Sequence, residues 1–132
     1  MRREIVKTKD GSNTIHIPEW NEQYHSIHGA IQEAYHVFIE MGLFFLLKSK
    51  APKEISILEM GFGTGLNAFI TSIESKKINN KIIYTCIEAF PLEFQIIEQL
   101  NYPKELNESK DSFFTFINPH GRKKILFQII SY

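Results

Sequence analysis

The chain has 132 residues, a net charge of zero, 43% hydrophobic residues and 23% charged residues. This composition is ordinary for a globular chain and argues against disorder, and the length allows one domain at most. Zero net charge argues against a strong sequence-independent grip on nucleic acid, which depends on Lys and Arg neutralising phosphates.

A single cysteine, Cys86, excludes a disulfide framework within the chain and is typical of a protein in a reducing cytosol. The charged start of the sequence and the absence of an apolar run approaching 18 residues predict neither a signal peptide nor a membrane span. We therefore expect a cytoplasmic protein that does not contact a membrane.

The first 50 residues predict a hairpin followed by a long helix. Two alternating segments, 4–8 and 13–17, flank Asp10-Gly11, a strong hairpin signal. From Ile27 the apolar residues recur at helical spacing as a stripe of Ile27, Ala30, Ile31, Ala34, Phe38, Met41 and Phe45. An exposed connection over residues 48–53 should follow.

The second part, 51–132, reads as the start of a parallel α/β sheet. A strand over 54–60 leads through Gly61-Phe62-Gly63-Thr64-Gly65 into a helix whose apolar residues recur at i, i+3, i+4 and i+7. A continuous apolar run over 82–87 predicts a strand buried on both faces. A helix opened by Pro91, with Leu92, Ile96 and Leu100 on its apolar side, a turn at 118–121 and a strand over 125–130 complete the pattern.

The glycine spacing favours one class of cofactor over another. A dinucleotide fingerprint reads G-x-G-x-x-G, whereas Leu66 stands where that pattern needs its third glycine. An acidic residue two positions before a G-x-G-x-G run, here Glu59, instead resembles motif I of class I S-adenosylmethionine-dependent methyltransferases. The zwitterionic methionine moiety and the sulfonium cation of that cofactor suit a carboxylate-bearing turn better than a pyrophosphate would. A glycine-rich turn without a ligand is the alternative.

Glu88 supplies a second, independent indication of a nucleoside. It lies at the end of the predicted second strand, 23 residues after Gly65, where a carboxylate can accept hydrogen bonds from both ribose hydroxyls. His25 and His28 have a spacing that metal ligands use, but no Cys or Asp partners accompany them, so we expect no metal site.

Several stretches resemble the methyltransferase domain of the MnmC-type tRNA-modifying proteins, a class I S-adenosylmethionine-dependent family. The likeness runs from about residue 3 to residue 103 and is carried by Asp10-Gly11-Ser12, Tyr24-His25-Ser26, Gly29-Ala30, Glu33, His36-Val37-Phe38, Glu59 through Asn67, Ile87 through Leu92, and Leu100 through Pro103.

The resemblance implies a Rossmann-like class I methyltransferase sheet, incomplete here and preceded by the hairpin and helix, in a single partial domain over 1–132. It also implies N-methylation of the aminomethyl group of 5-aminomethyl-2-thiouridine at the tRNA wobble position, with an FAD-dependent oxidase fused or separate in the same pathway. Cofactor-binding residues would be Gly61, Gly63, Gly65, Asn67, Glu59, Glu88, Tyr24 and Glu33.

One part of the family pattern is missing. Asp111-Ser112-Phe113 resembles the start of the family's later Asp-x-Phe-x-Pro segment, but Thr115 replaces the proline and the segment precedes the third strand. We therefore assign no catalytic residue. A truncated cofactor-binding remnant without activity and a methyltransferase of the same fold with another substrate stay open as alternatives. Lys104 and residues 122–124 offer modest basic character for tRNA.

Overall fold

The structure, a computed structural model, describes residues 1–117, except the side chain of Phe116, and the backbone of residues 125–131. Two three-stranded sheets and a long helix organise this part of the chain. The turn predicted at 118–121 and the basic residues 122–124 lie outside the described residues.

The N-terminal sheet is an antiparallel hairpin with a short third strand. β1 (Glu4–Lys7) pairs with β2 (Asn13–Ile17), which confirms the predicted hairpin, and β3 (Glu22–Gln23) adds to the other edge of β2. The Asp10 carboxylate accepts hydrogen bonds from the Ser12 N–H (3.0 Å) and the Thr8 hydroxyl (2.8 Å), so the turn is fixed by its own side chains.

The long helix α1 (Ala30–Lys50) begins three residues later than predicted and has an unusual register. Over Ala34–Phe44 it is a π-helix, in which the N–H of residue i donates to the carbonyl of residue i−5. Its buried residues are therefore Ala30, Ala34, Ile39 and Leu43.

The stripe predicted from ordinary helical spacing is wrong at its two ends. Ile27 precedes the helix and is exposed, and Met41 and Phe45 are each 62% exposed. The wider π-helical turn rotates later residues away from the position that a 3.6-residue period assigns to them. The helix also continues to Lys50, so the predicted connection over 48–53 is shorter than expected.

By length and composition alone, α1 is apolar enough to cross a membrane, with a mean hydropathy of 1.3. In the structure, however, Ile39 and Leu43 share one buried cluster with Ile55 and Phe69. One face of the helix therefore belongs to the protein core, although only 22% of its apolar window is buried.

The second sheet is parallel, with strand order β4-β5-β6. β4 (Glu54–Met60) is followed by α2 (Leu66–Ser75), β5 (Lys81–Glu88) lies at the centre, and β6 (Ile125–Ser131) pairs with its other edge. The strand–turn–helix prediction and the third strand are confirmed, and with the preceding hairpin and long helix the fold is that of an incomplete Rossmann-like sheet.

The two faces of this sheet are covered differently. Ile55, Ile82 and Tyr84 are buried against α1 and α2. On the opposite face Leu58 and Met60 are 63% and 71% exposed. The prediction that β5 is buried on both faces is therefore wrong, because its residues alternate between buried and half-buried.

Between β5 and residue 117, the last residue described before β6, the chain forms three short helices rather than the single helix predicted after Pro91. These are α3 (Phe94–Ile97), α4 (Tyr102–Glu105) and α5 (Lys110–Ile117). Pro103 lies in the first turn of α4, where a missing N–H costs nothing, so it is compatible with the start of this helix. Phe113 of α5 packs edge-on against Phe69, which seats these helices on the core.

Candidate functional site

The glycine loop between β4 and α2 depends on its glycines. Gly61, Gly63 and Gly65 have φ values of 83°, 54° and 76°, a region that side chains with a Cβ rarely adopt. The Gly61 N–H donates to the Ile87 carbonyl (2.8 Å), and the Gly65 N–H donates to the Phe62 carbonyl (2.9 Å). The loop is thus a fixed turn at the carboxyl edge of the parallel sheet.

Glu88 contacts this loop directly. One carboxylate oxygen accepts a hydrogen bond from the Gly63 N–H (2.9 Å), and the other accepts one from the Phe90 N–H (2.8 Å). A carboxylate has about four lone-pair positions, so both oxygens keep capacity for a ligand. The two features that the sequence predicted for one nucleoside therefore lie side by side.

Glu59 is buried and held from both sides. The Tyr84 hydroxyl donates to one oxygen (2.8 Å) and the Asn67 amide donates to the other (3.1 Å). Burial raises the pKa of the Glu59 carboxyl, and the negative charge of Glu88 adds to the rise, while the two hydrogen bonds oppose it. A cationic ligand group here would favour the ionised carboxylate.

The N-terminal sheet lies against the glycine loop. Gly63 approaches the Tyr24 ring so closely that a Cβ at position 63 would lie 3.2 Å from Cδ2. Next to Tyr24, the His25 N–H donates to the Thr14 hydroxyl oxygen (3.1 Å), and His25 Nδ1 is 2.9 Å from the same oxygen. Glu33 accepts a hydrogen bond from the Ser26 N–H (2.7 Å), which fixes the chain at the start of α1.

These groups surround an open cavity of about 900 Å³ between the N-terminal sheet, α1 and the glycine loop. Four carboxylates line it, those of Glu22, Glu33, Glu59 and Glu88, and no Lys or Arg side chain of the described residues does. Such a lining favours a ligand that carries positive charge over a pyrophosphate.

The structure gathers most of the sequence-predicted site residues around this cavity. Its lining includes Tyr24, Glu33, Glu59, Gly61, Gly63, Asn67 and Glu88, whereas Gly65 lies at the start of α2 outside the lining. A Cβ at Gly65 would lie 2.7 Å from the Phe62 ring, so this glycine serves close packing within the loop. The roles of these residues toward a ligand stay predictions.

Several lining residues were given no site role from the sequence, among them Trp20, Phe62, Val37 and Phe38, although the last three lie in stretches that carry the family resemblance. Trp20 gave one usable signal, since it is the only tryptophan and follows the strand-ending Pro18. Within the described part of the chain, no group of three or more His, Cys, Asp or Glu side chains could hold a metal ion.

Comparisons with known proteins give a match among solved structures alone. No family model matches the sequence, and no curated protein is significantly similar to it. Among solved structures, the chain is similar to the crystal structure of MnmC2 from Aquifex aeolicus, with 26% identity and a TM-score of 0.76. The match covers 99% of this chain and 43% of the MnmC2 chain. The chain therefore spans less than half the length of MnmC2, and the part that it spans is similar to an MnmC methyltransferase-like domain with an incomplete Rossmann-like fold.

Proposed function

We propose that the cavity binds S-adenosylmethionine and that the chain is the cofactor-binding part of a methyltransferase that N-methylates 5-aminomethyl-2-thiouridine in tRNA. The observation that carries the proposal is the contact between the Glu88 carboxylate and the Gly63 N–H at the edge of an acidic cavity. The substrate is proposed from the resemblance to MnmC-type proteins. With it we propose a cytoplasmic setting and an FAD-dependent oxidase in the same pathway.

Charge argues for this cofactor over a dinucleotide. S-adenosylmethionine carries a sulfonium and an ammonium against one carboxylate, whereas NAD and FAD carry a pyrophosphate. Four glutamates around the cavity would repel a pyrophosphate and attract the two cations. A buried carboxylate with a raised pKa, Glu59, gains most from a neighbouring cation.

Each part of the site has a role that its position supports. The turn at Gly61 and Gly63 lets a ligand approach the main chain closely, and Glu88 would hold the ribose hydroxyls. Asn67 holds Glu59 in place, and Tyr24 and Glu33 would close the methionine end from the N-terminal sheet and α1. We propose these as binding roles and assign no catalytic residue.

When bound, S-adenosylmethionine supplies a methyl group on a positively charged sulfur, open to in-line attack by an amine. This chain would hold that methyl group at a fixed place relative to the open side of the cavity, which is how positioning accelerates a bimolecular step. The acidic lining would also attract an aminomethyl group in its cationic form, which must lose a proton before attack.

Isothermal titration of the whole chain with S-adenosylmethionine tests the cofactor assignment. We expect one binding site, and we expect Glu88→Ala to weaken binding about tenfold or more, because hydrogen bonds to a charged group are lost. Glu98→Ala, an exposed glutamate outside the cavity, is the matched control and should bind as the wild type does. Absence of binding, or tighter binding of NAD, would contradict the assignment.

The second candidate is a cofactor-binding piece without turnover. It is favoured by one structural observation, the exposure of Leu58 and Met60 on one face of the parallel sheet. Incubation with labelled cofactor and tRNA carrying 5-aminomethyl-2-thiouridine separates the two. Label in the tRNA supports the enzyme, cofactor binding without label supports the second candidate, and label only in a small amine contradicts the tRNA assignment.

A further inference from the structure

Two large aromatic side chains at the cavity are left exposed. Trp20 and Phe90 both line it, yet they are 62% and 70% exposed. Exposed aromatic rings beside a cavity are typical of surfaces that stack on a planar ligand, since a ring offers a large contact area at little cost in conformational entropy.

The main chain behind each ring is held by hydrogen bonds. The Trp20 N–H donates to the Ile17 carbonyl (3.2 Å) and the Asn21 N–H donates to the Pro18 carbonyl (3.2 Å), so Trp20 lies in a tight turn. Phe90 is fixed by its N–H bond to Glu88. Neither ring is on a loose terminus.

Two adjacent arginines join these segments. The Arg2 N–H donates to the Glu19 carboxylate (2.7 Å), next to Trp20. The Arg3 guanidinium donates to the carbonyls of Phe90 (2.8 Å) and Pro91 (3.2 Å). Because Arg2 and Arg3 are consecutive, the Trp20 turn and the Phe90 segment are attached to the same short stretch of chain, at one end of the cavity.

That end is where the base of a bound nucleoside would lie. If the glycine loop takes the methionine end and Glu88 takes the ribose, the base extends from the ribose on the side away from the loop. Phe90 follows Glu88 by two residues and lines the cavity, and Glu19, the neighbour of Trp20, is joined to the Phe90 segment through Arg2 and Arg3.

We infer that Trp20 is a specificity-determining residue, which the N-terminal sheet contributes to a site otherwise built on the parallel sheet, and which stacks on the adenine ring of the cofactor. The inference rests on the proposed function. It makes the N-terminal sheet part of the nucleoside site as well as a cover for the methionine end.

Tryptophan fluorescence reports on Trp20 specifically, because Trp20 is the single tryptophan of the sequence. We would titrate the whole chain with S-adenosylmethionine, adenosine and methionine while following tryptophan emission, with calorimetry in parallel. S-adenosylmethionine and adenosine should both change the emission, and methionine, which has no base, should leave it unchanged.

Substitutions complete the test. Trp20→Ala should weaken binding of S-adenosylmethionine about ten- to a hundredfold, the usual effect of removing an aromatic stacking partner. Trp20→Phe should keep most of the affinity and abolish the signal. Phe45→Ala is the matched control, because Phe45 is also 62% exposed but does not line the cavity.

The outcomes separate this inference from the proposed function. Calorimetric binding of S-adenosylmethionine without a change in emission, an equal change with methionine, or undiminished binding by Trp20→Ala would overturn the role of Trp20 and leave the cofactor assignment intact. A change in emission with RNA but not with S-adenosylmethionine would likewise overturn this role. It would indicate that Trp20 contacts a base of the acceptor RNA instead of the adenine of the cofactor. Absence of calorimetric binding would overturn both.

Discussion

Asn13 and Asn101 exchange two hydrogen bonds across the junction of the two sheets. The Asn13 N–H donates to the Asn101 side-chain carbonyl (2.8 Å), and the Asn101 N–H donates to the Asn13 side-chain carbonyl (3.0 Å). The Asn101 amide also donates to the Gly11 carbonyl (2.8 Å). One residue before α4 thus fastens the hairpin to the α/β part of the molecule.

Asn101→Ala should lower the free energy of unfolding by about 1–3 kcal/mol, because it leaves the Asn13 N–H and the Gly11 carbonyl without partners in a half-buried place. Urea unfolding followed by circular dichroism measures this. Gln99→Ala, two residues earlier and exposed, is the control and should stay within about 0.5 kcal/mol of the wild type. Equal effects of the two substitutions would contradict the conclusion that the Asn101 side chain fastens the hairpin to the α/β part of the molecule.

Sequence patterns predicted the parts of the fold that local chemistry determines. Asp10-Gly11 marked the hairpin, because only a few residue types fit such a turn, and the apolar periodicities marked β4 and α2. The distance along the chain from Gly65 to Glu88 indicated that the loop and a carboxylate meet at one sheet edge, and they do.

Other features had no local signal. Residue spacing does not reveal the π-helical register of α1, so the 3.6-residue pattern misplaced Met41 and Phe45. The Asn13–Asn101 pair joins residues 88 positions apart, which no spacing rule finds. The cavity lining by Trp20 likewise follows from the packing of one sheet against the other.

Alanine substitutions in the glycine loop should form a graded series. A Cβ at position 61 would meet no atom within 4 Å. Gly61→Ala should therefore lower the free energy of unfolding only by the strain of a positive φ, about 1–2 kcal/mol. Gly65→Ala should cost more, because its Cβ would also lie 2.7 Å from the Phe62 ring. Gly63→Ala, at 3.2 Å from Tyr24, should fall between them.

Urea unfolding of the three variants measures this order. Gly42→Ala is the control, since Gly42 lies inside α1 with only ordinary contacts around a Cβ, and it should stabilise the protein by up to about 1 kcal/mol. If Gly61→Ala lowered the free energy of unfolding as much as Gly65→Ala does, the close packing of the Phe62 ring against Gly65 would be contradicted.

Cys86 should be unreactive in the folded protein. Its side chain is fully buried on the inner face of β5, and burial, together with the charges of Glu59 and Glu88, raises its pKa to about 12. A disulfide reagent at neutral pH should therefore label the thiol only as fast as the protein unfolds, and at once in denaturant. Rapid stoichiometric labelling without denaturant would contradict this burial.

His25 should make stability depend on pH in the mildly acidic range. Burial holds its pKa below the ordinary value of 6.5, and the nearby charge of Glu33 only partly opposes this. As the pH falls below about 6.5, the unfolded chain takes up a proton on this side chain and the folded chain does not. The free energy of unfolding should therefore decrease in that window.

The difference between the wild type and His25→Asn isolates this contribution, because Glu59, whose raised pKa acts in the opposite direction, is present in both. Asparagine keeps a polar atom near the Thr14 hydroxyl, which lies 2.9 Å from His25 Nδ1. Unfolding in urea at several pH values between about 5 and 7.5 should show a steeper loss for the wild type than for the variant. Parallel pH profiles would mean that His25 takes up its proton equally in both states, and they would contradict the lowered pKa of this side chain in the folded protein.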